Sequence, residues 1–93
     1  MNAALLAYVR LVAHHEPTGH TGHIVGGAVL PMPLELRVVS YAEDPGVYLL
    51  YISDPGSGLA DTDTYHMTMQ DAFEQARLEF SVLPSEWRRV RGP

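Results

Sequence analysis

Residues 47–53 read Val-Tyr-Leu-Leu-Tyr-Ile-Ser, apolar on both alternating faces and rich in β-formers. A strand buried on both sides belongs in the middle of a sheet. Its flanks are turns. Glu43-Asp44-Pro45-Gly46 precedes it and Asp54-Pro55-Gly56-Ser57-Gly58 follows it, each placing Pro where φ is preset and Gly where the backbone bends. Upstream, residues 34–41 alternate Leu34, Leu36 and Val38 with Glu35 and Arg37, the pattern of a half-buried strand. Downstream, residues 60–66 alternate Asp61, Asp63 and Tyr65 with Thr62, Thr64 and His66. Connections this short make 34–41, 47–53 and 60–66 an antiparallel meander.

Beyond the meander, Thr68 stands as an N-cap with Asp71 three residues on. Met69, Ala72, Phe73, Ala76 and Phe80 then form one helical stripe, which predicts a helix over 69–82 packed on the sheet. Pro84 ends it, and Trp87 is expected to fold back as a core plug. At the other end, Asn2 caps a run in which Leu5, Tyr8, Val9 and Val12 fall on one helical stripe, predicting an N-terminal helix over 2–15. Tyr8 to Ala13 also suits a strand. Residues 18–33, with four glycines and two prolines, read as loop with short strands at His23–Val25 and Ala28–Leu30. The expected architecture is α+β: a three- or four-stranded antiparallel sheet, the 69–82 helix on one face and the 2–15 helix beside it or at an end.

Ninety-three residues make a single domain, 1–93, that buries only roughly 60–65% of its unfolded surface. An apolar fraction of 46% and a charged fraction of 18% exclude a disordered tail and a membrane protein. No cysteine is present, which removes disulfides, thiolate catalysis and cysteine-based zinc sites. No lysine is present either, which removes Schiff-base chemistry and a Walker-type phosphate loop. The net charge is −5, and three of the six arginines (Arg88, Arg89, Arg91) crowd the last six residues. The remaining body sets three arginines against eleven acids, or 3 − 11 = −8. Such a field repels nucleic acid and suits a basic protein partner, or simple solubility. Ala3 to Ala13 lacks a basic leader and is far short of a membrane span, so no membrane role and a cytoplasmic location are expected.

Three clusters could carry chemistry. His14, His15, His20 and His23, with Glu16 alongside, offer imidazoles to Zn²⁺ or Ni²⁺, but in no known metal spacing. The expectation is a solvated His-rich loop with no metal and no cofactor. Asp61, Asp63 and Tyr65 share a strand face about 7 Å apart, with His66 facing the other way, a set that acid–base catalysis could use. A domain this small has little room for a substrate cleft, so no catalytic residue is assigned. The third is the second face of the meander, where Val39, Tyr41, Tyr48, Leu50, Ile52 and Tyr65 share parity. Tyrosines rimmed by carboxylates resemble a protein-binding face, unless the N-terminal helix covers it. Asp54, Asp61, Asp63, Tyr65 and His66 are therefore the expected partner-binding residues.

From Tyr48 to Trp87 the sequence carries Tyr48-Leu49-Leu50-Tyr51, Asp63-Thr64-Tyr65-His66, Thr68, Ala72, Gln75-Ala76, Glu79-Phe80, Val82 and Trp87. This stretch of about forty residues resembles small α+β bacterial proteins of unassigned function, some of them similar to immunity proteins of polymorphic toxins. The resemblance implies a small cytoplasmic protein with no active site of its own and a basic toxin domain as partner. A small enzyme or ligand-binding accessory protein from a biosynthetic cluster, and a homo-oligomeric structural module such as a homodimer, are the competing expectations.

Overall fold

A computed structural model describes residues 3–12, 15, 24–25, 28–29, 32–57 and 59–90. Among the described residues, seven strands and one α-helix follow in chain order: β1 (Ala3–Arg10), β2 (Ile24–Val25), β3 (Ala28–Val29), β4 (Glu35–Tyr41), β5 (Val47–Ile52), β6 (Thr62–His66), α1 (Met69–Phe80) and β7 (Arg88–Arg89), with a 3₁₀ turn at Pro84–Glu86. Five strands form an antiparallel sheet in the order β6-β5-β4-β1-β7, and β2 and β3 pair as a separate two-stranded ribbon. The class is α+β as expected, and the meander β4–β5–β6 forms with slightly shorter strands than the 34–41, 47–53 and 60–66 of the sequence reading.

Two expectations are corrected. The helix over 2–15 does not form: Ala3–Arg10 is a strand paired along its length with β4. The sheet consequently has five strands and not three or four. The reason is non-local. The two-sided β5 makes β4 an interior strand, and β4 buries residues on both faces, so its other edge needs a partner. Residues 5, 7, 9 and 11 are all apolar, which lets the same segment satisfy a period of two as well as a helical stripe. A β-bulge between Leu5 and Ala7 then changes face: Leu5 sits opposite Val39, while Ala7 and Val9 sit opposite Val38 and Leu36.

One sheet face carries the core. Ala7 and Val9 of β1, Leu36 and Val38 of β4, and Val47, Leu49 and Tyr51 of β5 are buried against Ala72, Phe73, Ala76 and Phe80 of α1. Val82 and Trp87 close the same cluster, Trp87 being buried against Phe73 as the sequence anticipates. Thr68 Oγ1 accepts the Asp71 backbone N–H at 3.1 Å and starts α1. Ser81, at φ 60° and ψ 30°, caps it after Phe80, two residues short of the expected 82. Glu79 joins the buried stripe, and its cost is met by the Tyr51 hydroxyl and by Gln75 Nε2 at 3.1 Å, which both donate to its Oε1.

Candidate functional site

The face opposite α1 is laid out by the strand register. One cross-strand row runs Leu5–Val39–Tyr48–Tyr65, and the next runs Arg88–Tyr8–Arg37–Leu50–Asp63. Tyr41 lies one position beyond the first row, opposite Ala3. Four of the five tyrosines thus stand on this face, and the fifth, Tyr51, is in the core. The second-face parity read from the sequence is the one α1 leaves uncovered. Leu5, Asp63 and Tyr65 are exposed, whereas Tyr8, Tyr41, Tyr48 and Leu50 are half-buried. No N-terminal helix lies over them, since that segment supplies Leu5 and Tyr8 to the face itself.

The aromatic part is a continuous platform. Tyr41 and Tyr48 meet edge to face with centroids 5.2 Å apart, and Tyr48 and Tyr65 do so at 4.9 Å. Tyr48 Oη donates to Asp44 Oδ2 at 3.1 Å. That bond raises the Tyr48 hydroxyl above its ordinary pKa, with desolvation and the charges of Asp44, Tyr65 and Asp63 adding to it. Gly46 makes the platform fit, because a Cβ there would run into the His66 carbonyl oxygen and the Tyr65 hydroxyl. The turn before β5 is closed by Asp44 N–H donating to the Tyr41 carbonyl at 3.1 Å, which brings Asp44 back over Tyr48.

The face is electrically split. Towards β1, buried Glu35 accepts from Arg37 Nε and from Arg10 Nη2 at 3.4 Å, and Arg37 also reaches the Pro55 carbonyl at 3.4 Å. Towards β6, Asp44, Asp61 and Asp63 form no ion pair with any described cation. The negative half therefore borders the tyrosines without a compensating cation among the described residues.

The expected partner-binding residues are distributed unevenly over this structure. Asp63 and Tyr65 stand together on the open face, and exposed Asp61 precedes them at the mouth of β6, its N–H donating to the Tyr51 carbonyl at 2.8 Å. Asp54 serves its own turn, accepting the Gly56 N–H at 3.1 Å. His66 lies on the helix side, with Nε2 2.7 Å from Thr64 Oγ1. Burial holds its imidazole below the ordinary histidine pKa, against the opposing pull of Asp71 and Glu79. Leu5, Tyr8 and Asp44 were missed. The helical stripe in residues 2–15 hides the first two, and Asp44 reads as turn chemistry, though it stands four residues from Tyr48.

The histidine cluster is corrected at the one position described. His15 is not in a solvated loop but is 4% exposed. Its Nδ1 accepts the Val12 N–H at 3.0 Å, which leaves the ring proton on Nε2, directed at Glu86 Oε2. His14, Glu16, His20 and His23 lie outside the described residues. Among the described residues no group of three His, Cys, Asp or Glu could hold a metal, and no helix is long and apolar enough to cross a membrane. No protein-family model, no curated protein and no solved structure matches the chain.

Proposed function

We propose that this chain is a non-enzymatic cytoplasmic binding domain, an immunity or inhibitor protein that masks a basic protein partner with its tyrosine-bearing sheet face. The observation that carries the reading is the Tyr41–Tyr48–Tyr65 platform, left uncovered by α1 and bordered by Asp44, Asp61 and Asp63 without a compensating cation among the described residues. Half-buried tyrosines supply large contact area at small entropic cost, and unpaired carboxylates speed the approach of a basic surface. The resemblance over residues 48–87 points the same way.

The test starts from the product of the gene adjacent to this one, co-expressed with the chain and co-purified. Surface-plasmon kinetics then compare wild type, the double variant Asp61→Arg/Asp63→Arg, and Tyr65→Ala at low and high salt. The double variant slows association, and the effect shrinks as salt rises. Tyr65→Ala instead speeds dissociation. Unchanged kinetics in both variants would remove this face from the interface.

A further inference from the structure

Resting on the basic-partner reading, we infer that the group recognised at the centre of this face is an arginine guanidinium of the partner, seated on the Tyr48–Tyr65 pair between Asp44 and Asp63. The argument is one of shape as well as charge. Tyr65 is 43% exposed, so part of its ring is available to a stacking plane. Asp63 is two residues from it on the same strand face and diagonal to Tyr48, so its backbone position lies about 7 Å along the sheet from theirs. The Asp44 carboxylate stands at the far end of Tyr48, where it accepts that hydroxyl's hydrogen bond at 3.1 Å. A planar cation can lie on a tyrosine ring and still present its N–H fork to a carboxylate at the ring's edge. An ammonium meets the same charges as a point and gains no fork.

Among the described residues, the nearer arginine in the row of Asp63 is held away from the seat. Arg37 shares a row with Asp63, but Leu50 of β5 lies between them and Glu35 and Pro55 hold its guanidinium. The inferred occupant belongs to the partner, and the split charge orients it: its cations meet β5 and β6, while any acidic part of it faces Arg88 beside β1.

The experiment uses the full chain and two decapeptides of equal length and charge, alternating Gly-Arg and Gly-Lys, titrated against the Tyr48 and Tyr65 ring resonances. The arginine peptide is expected to bind about three- to tenfold more tightly than the lysine peptide at low salt. Tyr65→Leu erases that preference, and Asp63→Asn weakens both peptides, with melting temperatures showing each variant folded. Equal binding of the two peptides at this face overturns the arginine assignment and leaves the basic-partner reading standing. Absence of both peptides from this face overturns the two together. Ring shifts that follow protein concentration alone, without peptide, also overturn the assignment, because the occupant is then a second copy.

Discussion

Phe73 of α1 stacks on Trp87, with ring centroids 4.6 Å apart and planes inclined by 24°. The Arg89 guanidinium stands 5.3 Å from the centre of the same Phe73 ring, so the helix, the residue after the 3₁₀ turn and the last strand meet there. Phe73→Ala is expected to cost about 3–5 kcal/mol in urea unfolding. Trp87→Phe should cost less than about 1.5 kcal/mol, because the buried indole N–H has no partner among the described residues and its removal relieves an unsatisfied donor. A Phe73→Ala protein with an unchanged midpoint would mean that this stack carries no stability.

Gly46 is held by close approach, since the His66 carbonyl oxygen and the Tyr65 hydroxyl occupy the space a Cβ would need. Gly46→Ala pushes a methyl into backbone that cannot swing aside, at a cost of about 1–3 kcal/mol. It should also move the Tyr65 ring, so that binding at the tyrosine face weakens even at temperatures where the variant is folded. Equilibrium unfolding and the Tyr65 ring resonances read the two effects separately.

The two ends of α1 should respond in opposite directions. Thr68→Ala removes the acceptor for the Asp71 N–H and costs about 0.5–2 kcal/mol. Ser81 occupies the left-handed region while its N–H closes on the Arg77 carbonyl at 3.0 Å. Ser81→Gly relieves that conformation and should add about 0.5–1 kcal/mol, less the extra freedom glycine brings to the unfolded chain. Thermal melts of the two variants against wild type provide the check.

Stability should depend on pH through His66. Burial lowers its folded-state pKa, so the unfolded chain, titrating near about 6.5, takes up the proton first. Its contribution is therefore complete above that unfolded value and is lost as the pH falls through the folded one. Melting temperatures between about pH 5 and about pH 7.5 should fall more steeply with acid for wild type than for His66→Gln. Parallel curves would assign the acid sensitivity to other groups.

The meander and α1 were legible because each has one period and clear punctuation. Residues 47–53 could hardly be anything but an inner strand, and Thr68 with the 69, 72, 73, 76, 80 stripe marks one helix. β1 was not legible because its apolar residues satisfy two periods at once. What separates them is the unpaired edge of β4, some thirty residues away, to which a local window is blind. The site followed suit. Parity put Val39, Tyr41, Tyr48, Leu50 and Tyr65 together, but which parity the helix would take was set by packing. Ile52 shows the limit of parity: it shares that face and is nonetheless fully buried, outside the core cluster formed with α1.

The place of β1 between β4 and β7 has a consequence for how the chain is made. Ala7 and Tyr8 pair with Arg89 and Arg88, and the Val90 N–H reaches the Leu6 carbonyl at 2.9 Å, so β1 leaves the ribosome well before the distant residues that complete it. Contacts so distant in sequence form late. Until they do, the nascent protein holds out one row of bare backbone groups on an apolar strand, an invitation to edge-to-edge aggregation. β7 ends that exposure with two exposed arginines, too short and too charged to template another chain.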